Sequence, residues 1–328
     1  MKEIYIFRDS KLSKKDDTIY MESENKKEYI PVASIDVIHI FGDFSCTKPL
    51  LELIARYDII LYLYNYVGKC VGIFTPSTQK GNGTILLSQC RAYDDIEKRI
   101  SIARQIVIAA TETMIENLKY YNRRGKKLEE EITSIKYNLS ILASQTSVEH
   151  IMAIEGRIHT IYYSAFNKII TQDGFEFTVR SRKPPKDPVN TLISFLNTLV
   201  YNEVLSQIFT TSLSPAISYL HSSNERKYSL NLDIAELFKP ILTDQVIFSV
   251  LNKKMIQKED FVVKDGVYMK ENAKRLLVEQ FHHKLCTSIQ QSKQEKPTTY
   301  QQLIRQELMK LQRYLIDGEG YLPYVKKG

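Results

Sequence analysis

Three acid-or-imidazole positions in the second half of the chain are the residues best suited to chemistry. They are Glu155 in the run IMAIEGRIHTIYY, His221 in LSPAISYLHSS, and the pair Asp233 and Glu236 in YSLNLDIAELFKP. A carboxylate, an imidazole and a second carboxylate make a hard, mixed oxygen and nitrogen donor set. Such a set suits Mg²⁺ or Mn²⁺ and not a thiolate-loving metal. Brought together around one ion, these groups would leave positions open to phosphate oxygens, which is the chemistry of enzymes that act on nucleic acid.

Each residue also has an ordinary reading. Glu155 sits beside an apolar helical stripe of Ile151, Ile154, Ile158, Tyr162 and Phe166, so it is either a surface glutamate at the stripe's edge or a ligand. Gly156 follows it, and a glycine costs a helix about 1 kcal/mol relative to alanine, which points to a packing or close-approach reason. His221 follows Ile217, Tyr219 and Leu220 and precedes Ser222, Ser223 and Asn224. That context predicts a helix end, where an imidazolium complements the dipole. Asp233 and Glu236 are three apart on a helix expected to end at Pro240, and so share a face. Asp233 near the helix start answers the dipole, whereas Glu236, beside Leu237 and Phe238, does not. A cation is one answer to their mutual repulsion. His282 and His283 are adjacent and diverge on a helix, and His39 falls in a strand, packed or paired. No HExxH, Walker loop or GxSxG occurs, which removes the enzyme classes those motifs carry.

The elements that must position these residues fall into two kinds. Residues 1–75 hold strand-like runs such as KEIYIF, YIPVASIDVIHIF, IILYLYNY and CVGIF, rich in Ile, Val, Tyr and Phe. Turn residues stand at Gly42-Asp43 and Gly68, and a short helix is expected over Pro49 to Arg56. The stretch 76–92, which begins within the run TPSTQKGNG (Thr75 to Gly83), reads as a linker. From residue 93 to 328 helical periodicity dominates, beginning with Ile96, Ile100, Ala103, Val107, Ala110, Met114 and Leu118. One hairpin is expected in FVVKDGVYMK with Lys264-Asp265-Gly266 as its turn. The fold class is therefore α+β: a small N-terminal antiparallel β domain followed by a larger all-helical domain.

With 328 residues, 43% hydrophobic and 25% charged, the chain is long enough for two ordinary globular domains. A net charge of +7 favours a polyanionic partner. The amino terminus carries no signal-peptide core. The most apolar stretches, around Ile59 to Val67 and Ile106 to Ala110, are too short to cross a membrane, so a cytoplasmic protein is expected. Cys46, Cys70, Cys90 and Cys286 lie far apart with no CxxC pair, which predicts free thiols and no structural zinc.

The order and context of the three site runs resemble the CRISPR-associated spacer integrase family, the universal adaptation subunit (Cas-one), across essentially the whole chain. Glu155-Gly156 matches the family's EG motif. Leu213-Ser214-Pro215 through Leu220-His221 matches its leucine-proline-glycine-leucine-histidine-like run. SLNLDIAELFKP is similar to S-L-x-x-D-L-x-E-x-x-R-P, and Arg180 to Asn190 matches the basic run R-x-R-K-P-P-x-D-P-V-N. Ser218 and Lys239 depart from the pattern, and a lysine at 239 cannot supply a bidentate guanidinium contact. The resemblance implies a metal-dependent DNA endonuclease and integrase, inserting short DNA fragments into a CRISPR array by 3′-hydroxyl transesterification. It assigns Glu155, His221 and Glu236 as ligands of Mg²⁺ or Mn²⁺, with Asp233 beside them as outer partner or alternate ligand. DNA contact is expected from Arg180, Arg182, Lys183, Arg226 and Lys227, and a further basic patch runs from Lys119 to Lys127. The resemblance also implies a homodimer formed through the β domain and a small ferredoxin-like CRISPR partner protein. Residues Ile59, Leu61 and Leu63 with Tyr62, Tyr64 and Tyr66 offer two rich faces for the dimer. Two other readings remain: a plain metal-dependent nuclease acting by hydrolysis, and a non-catalytic DNA-binding scaffold.

Overall fold

The computed structural model describes residues 2–24, 26–76, 81–223, 227–290, 296–318 and 320–326. The chain forms two units, Met1–Lys80 and Gly81–Gly328. The first holds strands β1 (Glu3–Ile6), β2 (Ser10–Lys15), β3 (Thr18–Ser23), β4 (Lys26–Pro31), β5 (Val37–Ile40) and β6 (Phe44–Cys46), helix α1 (Lys48–Arg56), and strands β7 (Ile60–Tyr64) and β8 (Cys70–Phe74). They make two four-stranded sheets, ordered β4-β3-β2-β6 and β1-β5-β7-β8. The expected antiparallel pairing holds for β2 with β3, β3 with β4, and β7 with β8. The pairs β1 with β5, β5 with β7, and β2 with β6 run parallel. Parallel neighbours need a crossover, and β6 with α1 supplies it between β5 and β7. Helix α1 turns Leu50, Leu53 and Ile54 inward, at the spacing of one helical face. They join Leu12, Ile19, Ile38 and Leu61 in the core of this unit.

Strand β7 does not offer two free faces. Ile59, Leu61, Tyr62 and Tyr64 are buried, and of the six residues put forward for a dimer surface Tyr66 is the one widely exposed. His39 is packed and paired as its strand position predicts. It stacks between Tyr5 and Tyr62 at ring separations of 4.5 and 5.2 Å, with Nδ1 2.8 Å from the Tyr64 hydroxyl.

The second unit holds α2 (Gly83–Asp94), α3 (Ile96–Asn122), α4 (Glu129–Leu142), α5 (Val148–Ser164), α6 (Phe166–Ile169), α7 (Pro188–Phe209), α8 (Leu230–Lys239) and α9 (Gln245–Asn252). It continues with β9 (Phe261–Val263), β10 (Val267–Met269), α10 (Glu271–Leu285), β11 (Ser288–Ile289), β12 (Thr298–Thr299) and α11 (Tyr300–Asp317). Helix α2 begins inside the stretch read as a linker, because the Asn82 side chain caps it by accepting from the amides of Thr84 and Ile85. The expected hairpin forms as β9 and β10, with the Lys264 amide donating to the Gly266 carbonyl at 2.8 Å. Among the described residues no helix is long and apolar enough to cross a membrane.

Helix α8 ends at Lys239 with Pro240 as its C-cap, as expected, but the helical path continues beyond it. The chain runs on through a π-helical segment, Pro240–Asp244, into α9. Proline lacks an amide hydrogen and its ring crowds the preceding turn, and a wider i→i+5 turn accommodates it. All of α8 is buried, and it packs against α3 and α7. A helix buried all round can carry charged side chains only where partners answer them, and α8 carries Asp233, Glu236 and Lys239.

Candidate metal centre

Asp233, in the first turn of α8, is fully buried. Its Oδ2 accepts from the backbone amides of Tyr219 (2.6 Å) and Leu220 (2.9 Å), and its Oδ1 accepts from the amide of His221 at 3.0 Å. One carboxylate thus gathers three consecutive amides and fixes the loop between α7 and α8. His221 lies in this loop and not at a helix end, since α7 stops at Phe209 and α8 starts at Leu230. The same Oδ1 stands 2.8 Å from His221 Nδ1. A proton on Nδ1 donated to Asp233 leaves the Nε2 lone pair outward, the tautomer a metal-binding histidine needs. That Nε2 is 3.9 Å from Glu236 Oε1. Burial works against a charge on His221, but the hydrogen bond and charge of Asp233, helped by Glu236, outweigh it and raise its pKa.

Glu236 is 3% exposed. Burial opposes its charge, yet Lys239, His159 and His221 together hold its carboxyl far below the usual range. Lys239 Nζ donates to Oε1 at 2.5 Å from one turn further along α8. Among the described residues Glu236 Oε2 accepts no hydrogen bond, and it faces His159 Nε2 at 3.5 Å. Glu155 reaches the same place from α5, with Oε1 2.9 Å from His159 Nε2. Burial disfavours a charged His159, but Glu155 and Glu236 overcome it and lift its pKa to about 9. Glu155, His159 and Glu236 each offer one ligand atom, and these lie within 4.8 Å of one another. They line a small recess whose far wall is Val107, Ala110, Thr111 and Met114 of α3.

The expected ligands therefore meet in part: Glu155 and Glu236 converge, and His221 stands beside Glu236. The residue the sequence reading missed is His159, although its spacing of four from Glu155 puts both on one face of α5. Gly156 serves no close approach among the described residues, because a Cβ there meets nothing within 4 Å. The donor set, two carboxylates and two imidazoles with one carboxylate oxygen unbonded, fits a divalent cation.

The expected DNA-contact residues separate. The Arg180 guanidinium bonds to the Ser181 carbonyl, Asn190 Oδ1 (2.7 Å) and Ser194 Oγ (3.0 Å). It ties its own loop to α7. Arg182, Lys183 and Lys227 are exposed, and Arg226 lies outside the described residues. In the patch from Lys119 to Lys127, Lys119 pairs with Glu116 at 2.6 Å and Tyr121 packs edge-on against Phe248, while Arg123 and Lys127 are exposed.

The family model for CRISPR associated protein Cas1 matches residues 4–283. The chain is 40% identical over 325 residues to a CRISPR-associated endonuclease Cas1 of Thermodesulfovibrio yellowstonii, covering 99% of this chain and 98% of that one. It is 35% identical over 326 residues to the corresponding endonuclease of Clostridium perfringens, with 98% of each covered. Among solved structures, a Cas1 protein from Thermotoga maritima superimposes with a TM-score of 0.87 at 33% identity over the whole of both chains. A casposase bound to integration product shares the fold at a TM-score of 0.89 and 21% identity, over 99% of this chain and 94% of that one.

Proposed function

The chain belongs to the CRISPR associated protein Cas1 family, and from that premise we propose that Glu155, His221 and Glu236 form the metal-dependent centre with which it cuts and joins DNA. It is an endonuclease and integrase of CRISPR adaptation. The observation that carries the site assignment is the run of contacts from buried Asp233 through half-buried His221 to buried Glu236. Asp233 orients the His221 ring through Nδ1, and Glu236 keeps a carboxylate oxygen unbonded in a recess it shares with Glu155. An ion held there would be Mg²⁺ or Mn²⁺, polarising the scissile phosphate and offsetting charge on its oxygens.

The protein's own part is to hold that arrangement in place. Lys239 fixes one oxygen of Glu236, so the other faces the recess. The three amides on Asp233 stop the His221 loop from moving away. In the joining reaction a fragment's 3′-oxygen forms a bond to phosphorus as the bond to the leaving 3′-oxygen breaks. The proton lost by one hydroxyl is gained by the other, so no energy carrier is consumed. The remaining features of the reading are DNA held through exposed cations such as Arg182, Lys183 and Lys227, a homodimer made through the β domain, a small ferredoxin-like partner, and a cytoplasmic setting.

The test is a labelled fragment incubated with a supercoiled repeat-bearing plasmid, with Mg²⁺ or Mn²⁺ and with EDTA. Joined product that disappears in EDTA supports the integrase. Nicks without joining favour a hydrolytic nuclease, and DNA binding with neither favours a scaffold.

A further inference from the structure

We infer that His159 is a second imidazole ligand of the same ion, so that this centre presents two carboxylates and two imidazoles and selects Mn²⁺ over Mg²⁺. The inference rests on the metal-site reading above and adds a residue to it. Octahedral bonds of about 2.1 Å set neighbouring donor atoms about 3.0 Å apart. Glu155 Oε1 to His159 Nε2 is 2.9 Å, and His159 Nε2 to Glu236 Oε2 is 3.5 Å. These are the tightest donor contacts in the recess. His221 Nε2, at 3.9 Å from Glu236 Oε1, approaches the same carboxylate through its other oxygen.

Among the described residues His159 has no other polar contact. Its ring is half-buried on the recess wall, its buried Nδ1 meets no hydrogen-bond partner among the described residues, and its Nε2 lies within ion-pair distance of both acids. Four residues separate it from Glu155 on α5, a rigid helix capped by Ser147, so the pair moves as one unit. Each imidazole added to a carboxylate site shifts preference away from Mg²⁺, which favours oxygen and keeps its waters, towards later first-row ions.

The experiment is Mn²⁺ binding to the full chain without DNA, followed by electron paramagnetic resonance, with the bound imidazole nitrogens counted by electron spin echo modulation. Two nitrogens in the wild type, falling to one in His159→Ala and to one in His221→Ala, support the inference. Mn²⁺ affinity should drop by about 100-fold in His159→Ala, no less than the upper end of what removing a ligand's supporting partner costs, with Mg²⁺ affinity changing far less. One nitrogen in the wild type, lost in His221→Ala and kept in His159→Ala, overturns the inference and leaves the three-ligand site standing. Mn²⁺ binding that Glu155→Gln and Glu236→Gln both leave unchanged overturns the metal site itself. The wild-type nitrogen count requires no variant to fold, and His159→Asn repeats the test with a polar side chain of similar shape.

Discussion

At the scale of single residues, Asp233 and Asp244 show how burial assigns roles. Glu155→Ala, His221→Ala and Glu236→Ala are each expected to abolish joining and cleavage in plasmid assays with little change in DNA affinity, since phosphate contacts rather than the ion hold the duplex. Asp233→Ala is a different case. It strips the acceptor from three backbone amides, two of them buried, as well as from the His221 ring, and hydrogen bonds to a charged group contribute about 1.5–3 kcal/mol each. That variant should lose several degrees of melting temperature as well as activity, with Asp233→Asn recovering part of both. An Asp233→Ala protein as stable as wild type would show that the loop is held by other contacts. Asp244, fully buried beyond the end of α8, supplies a pH dependence. Burial raises its carboxyl from the ordinary 3.8 to about 7, against the opposing charges of His159 and Lys239. The folded state then binds more protons than the unfolded one between about pH 4 and 7, so its contribution to stability is present in acid and is lost as pH rises through that window. A shift of this size is worth a few kcal/mol. Asp244→Asn should gain melting temperature over wild type at pH 8 in EDTA and show no gain near pH 4. Parallel curves would overturn the raised pKa.

At the scale of elements, Gly156 makes the clearest prediction. It sits inside α5 with open space where a Cβ would go, so Gly156→Ala should stabilise the protein by about 0.5–1 kcal/mol, read as a higher midpoint in urea. If the same variant loses DNA joining while keeping Mn²⁺ affinity, the open space is occupied by substrate. What the sequence made legible follows from the same local physics. Period-two runs gave the strands, and the spacing from Ile96 to Leu118 gave α3, because each pattern needs only one buried face. The β9–β10 hairpin was legible through its Lys264-Asp265-Gly266 turn. Three things were not legible, each for a physical reason. The parallel pairing of β5 and β7 depends on where α1 carries the chain. The continuation through Pro240 needs a change of helical register that periodicity does not encode. The loop position of His221 depends on Asp233, a residue 12 positions away whose carboxylate takes amides a helix would otherwise have used. Within the candidate site, the distinctive runs around Glu155, His221 and Glu236 are what the sequence made legible. Glu155 and His159, four apart on one helix, carry a spacing signal of the same kind.

At the scale of the whole molecule, what matters is where charge and apolar surface are left over. In the β unit Tyr66 and Val71 are 77% and 63% exposed, near the β7–β8 turn. If the β domain forms the homodimer, Tyr66→Asp with Val71→Asp should convert a dimer to a monomer in light scattering at micromolar concentration. An unchanged mass would move the dimer contact elsewhere. For DNA, the formal charge of +7 says that phosphate will be attracted but not where. The helical unit offers two places. One is the exposed pair Arg182 and Lys183. The other is a groove of about 820 Å³ lined by Lys119, Arg123, Lys136, Lys310 and Lys326 along with Glu112 and Glu116. In that groove Lys119 and Lys310 already pair with Glu116 and Glu307, which leaves Arg123 and Lys136 as its exposed cations for phosphate. Each contact with duplex phosphate contributes about 0.9 to the slope of log K against log salt. Neutralising Arg182 and Lys183 together should therefore lower that slope by up to about 1.8, equally for every duplex sequence. Arg180→Gln should behave in the opposite way, leaving the slope unchanged and lowering the melting temperature, because its guanidinium is spent on Asn190 and Ser194. A slope that falls in Arg180→Gln and not in the double variant would mean that the loop rearranges on DNA and frees Arg180 for phosphate.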